Sequence, residues 1–445
     1  MAVLRNDGST EPVATPLADG EHHDVFLSNG LLVVLVPEPR VHRAVASLYL
    51  RVGSRFEDKR TNGVSHFLEH MLFRGTPSLP TAHAQALAFE RLGGTLYAAT
   101  HVDHGVMSVS VPPCNLTPIL RLLGDVAAKP ILSELEVERG IVREEILEDL
   151  DDDGRDIDAD NIVRALMYGD HPLGYTITGH IDSLDRFDEP LLHAHHARHY
   201  TAANAVLAIA GNIGDLDACA RAAEEAFGGL PRGARLRVAA PKLDQKKPRV
   251  RFVENQSSQT ELRVAFRAKS ERDPAEPAME MLLRVLDDGM STRLYERICD
   301  RLGLCYDVSG SFEAYEDDGV IDIAAGARHS RTPMVAKEVF ALLRDLCDHG
   351  PTEEELQKAR DRHLWSVEAM CDDPDETAAF HGLAALAGVT RSPLVRHEQL
   401  CAVTREDVRA AASSIFRPER LSVTAVGLLK DSDVTRLEKA IRVLG

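Results

Sequence analysis

The sequence predicts an α+β protein made of two similar α/β domains, an internal duplication of one sheet-and-helix unit. Three observations carry that reading. Runs of β-branched and apolar residues alternate with amphipathic helical stretches in both halves of the chain. The order of those runs repeats. A helix containing HFLEHMLFRGT, the alternating stretch Leu96 to Val111, a further helix and SELEVERGIVREEI make up the first series. The second runs AMEMLLRVLDDGMSTRL, CYDVSGSFEAYEDDGVIDIAAG, the helix Pro333 to Asp348 and TEEELQKARDRHLWSVEAM. Finally, 445 residues are more than one ordinary core accommodates.

In chain order, residues 1–22 are polar and rich in small side chains, which predicts a flexible N-terminal tail. Val25 to Val36 reads as two strands around an Asn29-Gly30 turn, and Ala44 to Val52 as a third strand. Gly63 to Thr76 (GVSHFLEHMLFRGT) reads as a helix, with Val64, Phe67, Leu68, Met71 and Leu72 on one apolar stripe and Gly75 and Pro77 as its stop. Ala82 to Leu92 is helical, Leu96 to Val111 supplies two strands, and Asn115 to Ala128 is a helix. Ser133 and Glu136 have the spacing of a capping box that opens a long helix to about Leu150. Gly228 to Gln245, rich in Gly, Pro, Arg and Lys, reads as a linker. The expected division is therefore residues 23–228, a linker at 229–248, and residues 249–445.

Opposite the apolar stripe, His66 and His70 lie one helical turn apart with Glu69 beside them. Two neutral imidazoles at i and i+4 can hold one Zn²⁺ at about 2.0–2.1 Å each, and the adjacent carboxylate can reach a water in the open fourth position. This HxxEH arrangement is the inverse of HExxH. Without a third ligand it is only a helix with two surface histidines. Glu138 and Glu145, seven residues apart, fall within about 20° of each other on a helix, with Ile141 and Val142 on the same side, whereas Glu144 points about 100° away. A carboxylate facing inward beside apolar neighbours is costly unless it is paired or binds metal. That makes Glu145 the candidate ligand and Glu138 its supporting partner.

Composition excludes several classes. A net charge of −19 opposes nucleic-acid binding and suits basic or neutral peptides better. No run of 18 apolar residues occurs, and the N-terminus has neither a basic start nor an apolar segment, so neither a membrane span nor a secretory signal is expected and the cytoplasm is the default compartment. Seven scattered cysteines without a CxxC give no disulfide framework, and reduced thiols, including inert buried ones at Cys299 and Cys305, are expected. Asp149, Asp151, Asp153 and Gly154 imitate the start of a calcium loop, but Asp156 and Asp160 break the pattern. His193, His195, His196 and His199 are expected on a solvated helix, and Trp365 in the core.

HFLEHMLFRGT followed by ERGIVREEI resembles the pitrilysin, insulinase and mitochondrial processing peptidase family of zinc peptidases. The resemblance continues through HPLGYTITGHIDSL, HYTAANAVLAIAGNI and GMSTRLYERICDRLGLCYDVSG and covers nearly the whole chain. It implies that His66, His70 and Glu145 ligate one Zn²⁺ per chain, with Glu69 as general base and Glu138 as supporting acid. It also implies two mostly antiparallel sheets packed with helices, together forming half of a clamshell. Such a half closes over a peptide or unfolded polypeptide with a related half-length chain, as a homodimer or a heterodimer. The strand Ala98, Ala99, Thr100 would bind an extended substrate through its backbone. The second unit has Met279, Met281 and Leu282 where the zinc helix has its polar ligands.

Two departures bear on activity. Family members often carry an Arg and a Tyr seven residues apart in the second half. Here Tyr306 is present but Cys299 stands at the Arg position, with Arg297 and Arg301 nearby, and a thiol cannot replace a guanidinium. Tyr97 stands where the family's edge-strand motif has Asn. The readings left open are a self-sufficient homodimeric endopeptidase, a zinc-bearing subunit that borrows Arg and Tyr from a partner, a peptidase dedicated to maturing one peptide, and a non-catalytic scaffold.

Overall fold

The structure, a computed structural model, describes residues 22–389 and 392–442. The expected tail, apart from His22, lies outside the described residues. The first hairpin pairs β1 (His23–Phe26) with β2 (Leu32–Pro37) across a turn in which Asn29 Oδ1 accepts the Leu31 N–H at 3.0 Å. β3 (Ala44–Leu50) is buried along its full length. Then come α1 (Val64–Met71), α2 (Ala82–Glu90), the hairpin β4 (Tyr97–Thr100) and β5 (Gly105–Val111), and α3 (Leu116–Ala128). α4 (Glu136–Glu148), α5 (Ala159–Tyr168), α6 (Ile181–Leu184), α7 (Glu189–His199), β6 (Ala205–Gly211) and α8 (Leu216–Phe227) complete the first series.

The second series is β7 (Arg249–Val253), β8 (Thr260–Ala268), α9 (Glu276–Leu286), β9 (Cys305–Ala314), β10 (Gly319–Ala327), α10 (Thr332–His349), α11 (Glu353–Cys371), α12 (Pro374–Ala387) and β11 (Leu421–Val426). Strand order is β1-β2-β6-β3-β5-β4 in one sheet and β7-β11-β8-β10-β9 in the other. Set β1 aside and the two sheets are the same. Each has one parallel pair (β2 with β6, β7 with β11), and every other pairing is antiparallel. The duplication read from the order of elements is thus a duplication of topology.

The inner face of the first sheet packs on the stripe of α1, whose Val64, Phe67, Leu68, Met71 and Leu72 are all buried. Each such side chain contributes about 1.5–3 kcal/mol. The outer faces are covered by exchange. α12 lies on the first sheet, with Ala378 and Leu386 against Val34, Val45, Tyr49 and Ala208. Gly382 permits the close approach, since a Cβ there would lie 2.4 Å from the Tyr49 ring. Conversely α5 lies on the second sheet, with Ile162 against Val426 and Val163 and Met167 near Ala265 and Val320.

Several local expectations are corrected. The Ser133–Glu136 capping box does not form: Glu134 at φ 59° turns the chain, α4 begins at Glu136 after Leu135, and Ser133 is left outside the cap position. Ile141 is 45% exposed while Val142 is buried, so the edge of the buried face of α4 runs between them. Trp365 is 58% exposed because the buried face of α11 is Leu356, Ala359, His363 and Val367, on the opposite side of the helix. The α7 histidines are not a solvated set. His199 is fully buried with Nδ1 2.9 Å from the Arg51 carbonyl, and His196 Nε2 lies 2.9 Å from that of Ala127.

Candidate metal centre

α1 carries two imidazoles, and its position is fixed from its N-terminus. Gly63 caps the helix without a side chain to accept the free N–H groups. Glu57, from the preceding loop, accepts instead: from the Gly63 N–H at 2.7 Å, the Ser65 N–H at 2.8 Å and Asn62 Nδ2 at 3.0 Å. A buried carboxylate here meets the positive end of the helix dipole. Burial nevertheless pushes its pKa up, against the pull of these hydrogen bonds. Gly63 sits at φ 93°, and a Cβ there would lie 2.6 Å from the Thr178 carbonyl, so the helix start is pressed against the 178–179 turn. Ser65 Oγ accepts the Gly53 N–H at 3.2 Å and lies 3.1 Å from His195 Nε2.

On the face away from the stripe, the His66 and His70 rings meet edge to face, 4.7 Å between centroids. Their Nε2 atoms lie 3.5 and 3.6 Å from one oxygen, Glu145 Oε2 on α4. These separations are long for hydrogen bonds. They are close to the roughly 3.4 Å between two atoms each 2.0–2.1 Å from a tetrahedral Zn²⁺. The three ligand atoms lie within 4.8 Å of one another, and among the described residues no other set of His, Cys, Asp or Glu is so arranged. Burial, then the neighbouring His70, lowers the His66 pKa to about 4, so its imidazole is neutral at pH 7, the form that binds a cation. His66 Nδ1 is buried without a hydrogen-bond partner. The donor set fits zinc.

The helix period of α4 brings Glu138 to the same site, buried, with Oε2 3.2 Å from His70 Nδ1 and Oε1 3.3 Å from Arg74 Nη1. With Glu138 ionised, Nδ1 is the donor and Nε2 keeps its lone pair. Glu138→Gln is expected to weaken zinc binding roughly 10–100-fold, measured by competition with a chromogenic chelator. Unchanged affinity would remove Glu138 from the site. α4 itself is tied down by Arg139, whose Nη2 donates to the Phe187 carbonyl at 2.7 Å.

Glu69 lies beside His70, and its Oε2 accepts the Thr100 hydroxyl at 2.8 Å. Burial, the largest influence, raises its pKa above the usual carboxylate value. Thr100 ends β4, the outermost strand of its sheet, so among the described residues the outer backbone edge of Ala98, Ala99 and Thr100 is unpaired, next to the cluster.

Tyr306 is elsewhere. It projects from β9, the edge of the second sheet, 92% exposed. The nearby arginines are engaged in their own half, Arg297 with Glu338 at 2.8 Å and Arg301 with Glu296 at 2.6 Å. In α9, Met279, Met281 and Leu282 are fully buried. Sequence reasoning missed Glu57 and Arg74. The absence of a capping side chain before Val64 could have sent the search to Glu57, and the i+4 spacing from His70 to Arg74.

Residues 32–180 match the family described as insulinase (peptidase family M16), and residues 187–362 match the peptidase M16 inactive domain. An uncharacterised zinc protease of Mycobacterium tuberculosis is 31% identical over 411 residues, 91% of this chain and 92% of that protein. One of Streptomyces coelicolor is 27% identical over 99% of this chain and 98% of its own length. The crystal structure of a peptidase M16 inactive domain from Pseudomonas fluorescens superposes with a TM-score of 0.83 at 24% identity, covering 92% of this chain and 98% of that one. The matched families and the full-length relatives agree with the duplicated fold: the chain belongs to the M16 family of peptidases, the pitrilysin and insulinase family.

Proposed function

We propose that the chain is a zinc-dependent endopeptidase of peptides or unfolded polypeptides, with one Zn²⁺ held by His66, His70 and Glu145. The observation that carries this reading is the convergence of two Nε2 atoms, 3.5 and 3.6 Å from one carboxylate oxygen, beside Glu69. Zinc, when bound, supplies Lewis acidity that polarises the scissile carbonyl and acidifies a water. The residues of the chain do the rest. The free edge of β4 accepts an extended substrate as an added strand, which lays its backbone beside the cluster. Glu69 takes the proton of the attacking water and returns it to the leaving amine. The Thr100 hydroxyl donates to Glu69 Oε2 and holds the carboxylate in place beside the cluster. Glu138 orients His70, and Glu57 holds the helix that carries both imidazoles. In this reading residues 23–228 act as the metal-binding domain, 229–248 as its linker, and 249–445 as the metal-free copy.

A second reading, that the active unit is a pair of half-length chains, rests on Tyr306. It is fully displayed on an edge strand, and the neighbouring Arg297 and Arg301 are each engaged by an acid of their own half. A homodimer or a heterodimer would bring such an edge over the zinc of the facing chain.

Zinc content and cleavage of unfolded polypeptide test both readings. The purified chain is expected to contain about one Zn²⁺, and a strong chelator to abolish cleavage that added Zn²⁺ restores. Zinc without cleavage until a related half-length chain is added supports the divided site. A chain without zinc, its assembly indifferent to chelation, is a scaffold. As for compartment, no helix among the described residues is long and apolar enough to cross a membrane. The cytoplasm remains the proposal from composition.

A further inference from the structure

Two thiols unused by this chemistry face each other at the start of β9. Cys299 Sγ and Cys305 Sγ are 3.8 Å apart, both half-buried. The expected burial is thus only partial. Cys299 lies in the π-helical turn Tyr295–Arg301, and Cys305 is the first residue of β9. The backbone beside both is already joined, with the Leu304 N–H bonded to the Ile298 carbonyl at 3.0 Å and the Gly303 N–H to that of Cys299 at 3.1 Å. A disulfide requires the sulfurs to close to about 2.05 Å, a movement of under about 2 Å across a turn whose backbone is in place.

We propose that Cys299 and Cys305 are a reversible dithiol–disulfide pair, oxidised by low-molecular-weight disulfides such as oxidised glutathione. The Cys299 thiolate attacks one glutathione sulfur, the glutathione S–S bond breaks, and one glutathione leaves and is protonated. The Cys305 thiolate then attacks the Cys299 sulfur of the mixed disulfide and expels the second glutathione. The protein gives up two electrons and two protons, and oxidised glutathione takes up both. Burial pushes both thiols up, Cys305 to about 12. Attack is thereby slow at neutral pH, while the formed bridge has poor leaving groups and persists. The bridge closes the 299–305 turn and pins the backbone from which Tyr306 projects. It is independent of the zinc reading.

The test uses the intact, reduced protein incubated with oxidised glutathione, alkylated in its native state and digested. Trypsin cuts after Arg297 and Arg301, so a bridge joins Ile298–Arg301 to Leu302–Arg328. The expected product is that linked pair, from a chain that remains monomeric on a non-reducing denaturing gel and separates on adding dithiothreitol. Its rate of formation should rise about tenfold per pH unit between 7 and 9, as the thiolate fraction does. In Cys299→Ser, Leu302–Arg328 should be recovered unlinked. Recovery of the two wild-type peptides separately, alkylated or each carrying glutathione, overturns the proposal, as does a bridge between different chains.

Discussion

Glu69→Gln is expected to keep about one Zn²⁺ per chain and to lower kcat/KM for peptide cleavage by about 10²–10⁴-fold, most of it in kcat. The change is nearly isosteric. The amide oxygen can still accept the Thr100 hydroxyl that Glu69 Oε2 accepts at 2.8 Å, so the side chain keeps its place. His66, His70 and Glu145 are untouched, and the metal stays. What is lost is the group that carries a proton from water to amine. At 1.36 kcal/mol per decade this is about 3–5 kcal/mol of transition-state stabilisation. Metal analysis beside steady-state cleavage decides it, and wild-type rates in Glu69→Gln would end the assignment of Glu69 as base.

His70→Ala is expected to lose both metal and activity. The alanine removes one of the two Nε2 atoms that face Glu145, and two remaining ligands do not make a zinc site. The loss is not a loss of fold. The buried stripe Val64, Phe67, Leu68, Met71 lies on the other face of the helix, Glu57 still clamps its start, and Glu138 retains Arg74. Circular dichroism and thermal unfolding of the metal-free wild type and variant should therefore match. Stoichiometric zinc retained by His70→Ala would exclude this ligand set.

How much of this was legible depends on the range over which each feature is determined. The α1 stripe follows from nine consecutive residues and a 3.6-residue period, and it is buried as read, with His66 and His70 on the opposite face. Glu138 and Glu145 were legible for the same reason, since a helix fixes their relative direction wherever it packs. Contacts set by distant chain were not legible. The burial of His199 depends on the Arg51 carbonyl, 148 residues away, and the exposure of Trp365 on which side of α11 the second core chose. The Ser133 capping box failed locally, because a left-handed Glu134 moved the helix start by two residues. Sequence order revealed the repeat of units. It could not reveal that each unit lends a helix to the other, because α5 and α12 carry the same apolar periodicity whichever sheet they cover.

That loan has a consequence for the protein as it is made. The first sheet is complete when β6 ends at Gly211, yet the helix that covers its outer face ends at Ala387, 176 residues later. At about 5–20 residues per second a ribosome needs roughly 10–35 s to deliver it. For that interval the nascent chain displays Val34, Val45, Tyr49 and Ala208 to the surrounding solution. Exposed apolar surface of this kind is prone to aggregate, so the first unit depends on the second for its outer cover.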